Sequence, residues 1–399
     1  MKKLATTFMQ SFKSIFCLLF TVCTLCFSCK SEKKETPKET LPTELNAENS
    51  SKSLVYAKKF SVEKTGDITV VTVFSPWPDA EKDFKYALIP REKAAAITLD
   101  RTAYDAIVLT PIERVIVTST THIPTLEMLG VEHTLVGFPQ TNYISSEKTR
   151  ALIDAGKVKD IGQNEQINIE LLIDLQPELV IGFSINNSNP TYKTIQKANI
   201  PVVYNGDWTE GTPLGRAEWI HFFAPFFQKE AKATEVFSKI EKNYLEAKQL
   251  AKKATTKPTI LAGAMYKDIW YLPAGESFQA QYLIDANADY IWADSEGTGS
   301  LSLSIESVLD KAADADIWIG PGRFKTYEDM KQASRYYAEF APYKHKKIYS
   351  TANTVGKTGG TMYYELAPTR PDIVLKDIIK AIHPEILPNY QPFFFKPLL

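Results

Sequence analysis

The chain reads as an α/β protein of two Rossmann-like lobes with parallel sheets, joined by a single long helix and preceded by a β-rich extension. Three observations predict this. Short β-rich runs alternate with helical patterns in two separate regions, 112–224 and 258–399, as βαβ units require. Between them, residues 229–254 lack Gly and Pro and set Ala233, Val236, Phe237, Ile240, Tyr244, Ala247 and Ala251 at helical spacing. The third is an internal similarity. Ile169-Glu-Leu-Leu-Ile-Asp174 leads into Leu179-Val-Ile-Gly182, and Ile305-Glu-Ser-Val-Leu-Asp310 leads into Ile317-Trp-Ile-Gly320. The same helix-then-strand unit therefore recurs, once per lobe.

The chain opens on a basic stretch, 1–3, followed by an apolar run over 15–27 and by Ser28 directly before Cys29. That is the layout of an export signal. At roughly 13 residues the run falls short of the ~20 that span the bilayer hydrocarbon. Cys26-Phe27-Ser28-Cys29 resembles a bacterial lipobox, with Phe27 an unusual occupant of its small-residue position. All four cysteines, Cys17, Cys23, Cys26 and Cys29, lie at or before the expected cut. The mature chain would then keep only Cys29, placed to accept lipid at a new N-terminus, and form no disulfide. Each buried acyl CH₂ contributes ~0.8 kcal/mol, so several chains would hold the protein at a membrane surface. Residues 30–53 are Lys, Glu, Thr, Ser, Pro and Asn with hardly any large apolar side chain, and read as a disordered tether. Glu32 stands where an acidic motif routes some lipoproteins to the cell surface, and reads more readily as part of a solvated linker.

The remaining ~345 residues suit two lobes. A formal net charge of -1 makes no electrostatic case for nucleic acid. In the extension, 54–111, β-type segments at 68–73 and 84–89 flank the turn-prone Ser75-Pro-Trp-Pro-Asp79. The N-terminal lobe, 112–224, carries strands near 114–120, 134–138 and 179–183, with helices near 124–129 and 169–175. The interlobe segment, 225–257, begins at Pro225, which separates the long helix from a preceding one over 216–223. At 1.5 Å per residue the helix reaches about 39 Å, enough to bridge two lobes. The C-terminal lobe, 258–399, reads as strands near 259–264, 317–320 and 347–350 and helices near 277–288 and 304–313. A last helix opens with Pro371 and ends near His383.

In the repeated unit, Asn168 and Ser304 are suited to cap their helices and Glu170 and Glu306 fall in the first turns. The helix dipole favours such a glutamate by about 0.3–1 kcal/mol. That accounts for each one locally and not for a matched pair.

The chain resembles the substrate-binding proteins of ABC importers for siderophores, haem and cobalamin. The carriers are Arg114-Val-Ile-Val-Thr-Ser119 with Leu126-Glu-Met-Leu-Gly130, Asn168-Ile-Glu170 with Gln176-Pro-Glu-Leu-Val180, and Gly275-Glu-Ser277 with Leu301-Ser-Leu-Ser-Ile-Glu306. The resemblance spans about 112–387 and implies two α/β lobes on one long helix with modest closure about it. It implies an iron-siderophore, haem or cobalamin as transported ligand, with no resident cofactor and no directly bound metal. The implied partners are an ABC permease dimer with its ATPase and a membrane reached through a lipid on Cys29. The expected protein is a monomer in the bacterial cell envelope, on the periplasmic face or the cell surface. Glu170 and Glu306 match the family's permease-docking glutamates. As exposed charges they would steer and register docking more than strengthen it.

The ligand site is expected between the lobes, at loops after the C-terminal ends of parallel strands. N-lobe candidates are Ser119, Thr120, Thr121 and His122, then Gln140, Asn142 and Tyr143, then Asn205, Asp207 and Trp208. C-lobe candidates are Trp270, Tyr271 and Arg323, with Tyr363 and Tyr364. An aromatic wall with a few cationic and hydroxyl groups suits a flat or carboxylate-bearing chelate. Trp270 and Tyr271 read equally as hinge-side core. Arg323 reads equally as a satisfier of loop carbonyls, and His122 more readily as a hydrogen-bonded loop histidine than as a ligand. Five scattered histidines show no metal-ligand spacing.

No Gly-x-Ser-x-Gly or His-Glu-x-x-His motif is present. Gly356-Lys-Thr358 lacks the first P-loop glycine, Thr351 standing there, and reads as a plain loop. No enzyme is expected. The alternatives are a surface lipoprotein that binds haem or cobalamin without a dedicated permease and a hydrolase on a related scaffold.

Overall fold

The computed structural model describes residues 54–399, with the backbone of Ser50–Ser51. The expected signal with Cys29, and nearly all of the tether, lie outside the described residues. Among the described residues no helix is long and apolar enough to cross a membrane.

The extension is a five-stranded sheet in chain order: Ser50–Ser51, Phe60–Thr65, Ile68–Val73, Phe84–Pro90 and Ala106–Thr110. All pairs are antiparallel except the last. Alternate residues Phe60, Val62, Val71, Val73, Tyr86, Leu88 and Val108 are buried and join the same apolar cluster as Val115, Ile123 and Leu126 of the N-lobe. The extension therefore contributes buried residues to that lobe's core. Two carboxylates fasten its start. Glu218 accepts the amides of Val55, Tyr56 and Ala57 at 2.9, 2.8 and 2.7 Å, and Glu210 accepts the Lys59 amide at 2.8 Å and the Trp219 indole at 3.1 Å.

The N-lobe sheet is parallel throughout, in the order Val202–Tyr204, Leu179–Gly182, Val115–Val117, Leu135–Phe138, Lys159–Asp160. The C-lobe sheet runs Asp289–Tyr290, Thr259–Ala262, Ile317–Ile319, Ile348–Ser350, Lys396–Pro397, the last pair antiparallel. Both central strands are continuous apolar runs because helices cover both faces.

The long helix is Glu230–Ala251, 22 residues. Its buried stripe is shared between the lobes. Ala233, Phe237 and Ile240 pack into the N-lobe cluster, and Tyr244, Ala247 and Ala251 into the C-lobe cluster. The preceding helix is broken into Pro213–Glu218 and Ile220–Phe223, and Pro225 lies in the turn Ala224–Phe227 that follows.

Two features depart from the sequence pattern. The strand expected over 259–264 ends at Ala262, because Gly263 at φ 75° turns the chain out of the sheet. The chain then forms the hairpin Ala264–Tyr266 and Ile269–Pro273 around Lys267-Asp268, both at positive φ, and Ser300–Ser304 pairs as its third strand. Two central residues with positive φ match the right-handed twist of a tight hairpin. The second departure follows the last helix, Pro371–Ile382. Its buried Asp377 accepts the Tyr390 hydroxyl at 2.6 Å and the amides of Phe393 and Phe395 at 3.1 and 3.0 Å. This folds the tail back so that Lys396–Pro397 can edge the C-lobe sheet.

Candidate functional site

Both lobes belong to one compact unit, and loops at the strand ends of each lobe open onto a cleft. On the C-lobe side lies a cavity of about 990 Å³, and on the N-lobe side one of about 310 Å³; Tyr364 lines both. The N-lobe contributes Ser119 and Thr120 after Val115–Val117, and Gln140 and Tyr143 after Leu135–Phe138. The C-lobe contributes Tyr266, Lys267 and Tyr271 from the hairpin, Arg323 after Ile317–Ile319, and Tyr336 from the turn Arg335–Glu339.

The distribution of tyrosine is uneven. Of nineteen tyrosines in the chain, those exposed among the described residues are Tyr143, Tyr266, Tyr271, Tyr336 and Tyr364, and all five line these two cavities. Elsewhere the phenol rings are withdrawn into cores or half-covered. A wall of phenols offers broad faces for stacking and hydroxyls for hydrogen bonds, and Arg323 and Lys267 add positive charge. Arg323 follows Gly320-Pro321-Gly322, whose glycines sit at φ 68° and 69°, a turn that puts its exposed side chain on the cavity lining.

The wall is mounted on a rigid base. Along Ile269–Pro273 burial alternates, so Tyr271 faces the cavity while Trp270 faces the core. Trp270 is stacked on Trp318 at 5.1 Å and donates its indole N–H to Ala262 O at 2.9 Å. Trp318 donates to Gly263 O at 2.8 Å, and Tyr337 accepts the Met265 amide at 3.0 Å. Trp270 is thus a pillar beneath the hairpin and not a contact surface for ligand.

Other sequence candidates also line neither cavity. Thr121 is drawn into the turn that opens the helix His122–Leu129, its hydroxyl 2.9 Å from that of Ser119. His122 is buried against Phe223, ring centroids 5.3 Å apart. Burial, offset in part by the Asn205 amide, pushes its pKa down to about 3, so the imidazole is neutral and enclosed. Trp208 is half-buried in the turn Asp207–Thr209 and lines neither cavity. Asn205 and Asp207 are buried beside it, and burial raises the Asp207 pKa above the usual carboxylate range. Asn142 serves the backbone: its carbonyl accepts the Thr358 hydroxyl at 2.7 Å. Tyr363 lines the larger cavity, and burial pushes its phenol up to about 12 against the pull of the Arg216 charge.

Tyr266, Lys267 and Tyr336 escaped the sequence reading because they lie on a hairpin and a 3₁₀ turn that the βαβ pattern does not announce. The Lys267-Asp268 turn between two aromatic β-type runs was the available signal. Among the described residues no group of three or more His, Cys, Asp or Glu side chains converges as a metal site.

Glu170 and Glu306 occupy equivalent places in the two lobes. Each is exposed in the first turn of its helix, Ile169–Asp174 or Ile305–Ala312, capped by Asn168 accepting the Leu171 amide at 3.0 Å and by Ser304 accepting the Ser307 amide at 3.2 Å.

The profile of a family described as periplasmic binding protein matches residues 115–354, from the first N-lobe strand to just beyond the last parallel strand of the C-lobe. The chain belongs to the periplasmic binding protein family. Among periplasmic binding proteins of known structure, one from Staphylococcus epidermidis described as a possible iron-binding (periplasmic solute-binding) protein superposes with a TM-score of 0.54. It is 18% identical, over 69% of this chain and 100% of its own. The periplasmic heme binding protein of Vibrio cholerae superposes with a TM-score of 0.52 at 17% identity, over 66% of this chain and 99% of its own. An uncharacterized lipoprotein of Methanocaldococcus jannaschii is 26% identical over 295 residues, 71% of this chain and 68% of that protein. The family's two-lobe plan is therefore present here, with the extension 54–111 added ahead of the matched region.

Proposed function

We propose that this substrate-binding protein is the lipid-anchored receptor of an ABC importer, and that it carries a ferric chelate or a haem-like metal compound in the tyrosine-walled cleft. The observation that carries the reading is the gathering of all five exposed tyrosines of the described residues around one interlobe opening. Small-molecule pockets usually measure about 300–1,000 Å³, and the larger cavity alone, at about 990 Å³, reaches the upper end. Planar aromatic or oxygen-rich chelates match the phenol faces and hydroxyls, and Arg323 and Lys267 suit a net negative complex. The neighbours described as iron-binding and heme-binding are consistent with that class. Cys29 would supply the anchor, and Glu170 with Glu306 the contacts to a permease dimer driven by its ATPase. Binding and release, without chemical conversion, are the whole of the protein's task in this reading.

The test is a titration followed by tryptophan fluorescence with ferric catecholate, ferric hydroxamate, ferric citrate, haem and cobalamin. Saturable binding of one compound, weakened at least about tenfold by Tyr271→Ala or Arg323→Ala, is expected; a tenfold loss corresponds to ~1.4 kcal/mol. Absence of binding across the panel would overturn the metal-chelate reading.

A further inference from the structure

The segment 351–366 leaves the C-lobe strand Ile348–Ser350, crosses to the N-lobe and ends in the short helix Met362–Leu366. It is a second connection between the lobes, independent of the long helix. At its tip Thr358 donates to Asn142 O at 2.7 Å and Lys357 pairs with Asp154 at 3.2 Å. Gly356 and Gly360 press on Ser145. A β-carbon on the first would stand 2.6 Å from the Ser145 Cβ, and one on the second 3.0 Å from its Oγ. The deepest contact is Glu365. Only 1% exposed, it accepts the amides of Ser145 at 2.6 Å and Ser146 at 3.0 Å, where the N-lobe helix Glu147–Asp154 begins.

We infer that Glu365 is a positioning residue of the ligand cleft: by clamping the segment 351–366 onto the N-lobe, it holds Tyr364 in the wall shared by both cavities. The inference rests on the cleft being the ligand site. Tyr364 follows directly on Tyr363 and precedes the buried Glu365, yet is itself 66% exposed. Its one ring neighbour is Tyr363, at 5.9 Å. Side-chain packing therefore does not fix Tyr364, and its place depends on the backbone that Glu365 secures. The Lys357 pair is exposed, and such pairs contribute little on their own. The two hydrogen bonds that the Ser145 and Ser146 amides donate to the buried carboxyl are the contact whose loss leaves unsatisfied groups behind.

The surroundings of Glu365 set how the clamp answers to pH. From the helix His122–Leu129 comes Glu127, which accepts the hydroxyls of Ser146 and Thr149 and opposes a second negative charge nearby. From the helix Glu147–Asp154 the Ser145 and Ser146 amides favour the carboxylate; Glu147 is exposed, Lys148 is engaged by Glu132, and Arg150 by Asp154 and the Thr141 carbonyl. From the crossing segment, Lys357 is engaged by Asp154 and Tyr364 borders the N-lobe cavity, as does Tyr143 from the N-lobe turn Thr141–Tyr143. Burial outweighs the amides, and the Glu365 carboxyl is pushed up from 4.5 to about 7. A carboxyl that titrates higher clamped than released holds its proton more tightly when clamped. The clamp is therefore firmest below pH 4.5 and loosens as the pH rises through 7.

Hydrogen exchange on the full chain without ligand tests this, as protection of the Ser145 and Ser146 amides and of peptides covering 354–366. Protection in the unaltered protein is expected to fall at least about tenfold between pH 5 and pH 8, one pKa unit being tenfold. Glu365→Gln, neutral at all pH and still an acceptor, should keep the acid-side protection and show no dependence on pH. Glu365→Ala should be poorly protected throughout, with the amides of the long helix unchanged. A pH dependence that survives in Glu365→Gln, or full protection in Glu365→Ala, would overturn the inference. Since no ligand enters the measurement, a failed chelate titration and a failed clamp are distinguishable results.

Discussion

Gly263 lies so close to the carbonyl of Tyr271 that a β-carbon on the glycine would stand 1.9 Å from that oxygen. Gly263 also adopts φ 75°, where a side chain is strained. The turn out of the C-lobe sheet and the placement of Tyr271 in the cleft thus depend on one residue having no side chain. Gly263→Ala is expected to cost about 1–3 kcal/mol of stability, seen as a lower urea midpoint, and to weaken binding of whichever chelate the titration identifies.

Adjacent positions on the same strand should respond in opposite ways. Trp270→Ala removes a fully buried indole from the stack on Trp318 and is expected to lower unfolding free energy by about 3–5 kcal/mol. Tyr271→Ala removes a 40% exposed ring from the cavity wall and should leave the melting temperature nearly unchanged while weakening ligand binding. Melting curves and titrations on the two variants check the pair.

The long helix supplies a third expectation. Phe237 is 5% exposed and sits on the N-lobe half of the stripe. Its replacement by Ala should cost about 3–5 kcal/mol, measurable by urea denaturation.

His122 gives the stability a defined acid limb. Its pKa falls from 6.5 to about 3 through burial, so the unfolded chain binds the proton and the native chain does not. The native state has the full benefit of the neutral ring above pH 6.5, and loses it as the pH falls from there toward 3. His122→Phe, a ring of similar size against Phe223, should flatten that loss by an amount on the order of a few kcal/mol. Urea midpoints of both proteins at pH 5 and 7.5 give the comparison. Glu365 acts with the opposite sign and is common to both.

If Glu170 and Glu306 register the protein on a permease, Glu170→Lys together with Glu306→Lys should abolish uptake of the ligand by cells, leave affinity as it was and lower the melting temperature only slightly. Both side chains are exposed at helix starts; loss of the dipole interaction costs only about 0.3–1 kcal/mol each. Unchanged uptake would remove the docking role.

The two lobes and the helix between them were legible because each leaves a period in the chain. Buried parallel strands read as short apolar runs, and the stripe from Ala233 to Ala251 as a helical face. The repeated Asn168/Glu170 and Ser304/Glu306 units were legible for a similar reason, since capping is a local event. The extension's role was not. Phe60, Val62 and Tyr86 alternate as in any half-buried sheet, and nothing local says that the covering surface is the N-lobe. The cleft was legible in part. Strand-end loops led to Ser119, Thr120, Tyr143, Tyr271 and Arg323, whereas Trp270 and His122 were misplaced because aromatic and imidazole side chains serve cores as readily as sites. The segment around Gly356-Lys-Thr358, which reads as a plain loop, owes its importance to Ser145, more than two hundred residues away in sequence.

The stripe of the long helix passes from one core to the other between Ile240 and Tyr244, within a single turn and with no loop intervening. An α-helix propagates order along its length far more cheaply than it starts afresh. Melting either lobe would strip half of that helix of its packing and fray the remainder. The two lobes should accordingly share one unfolding transition, with coincident midpoints for probes placed in each, although their sheets share no hydrogen bond among the described strands.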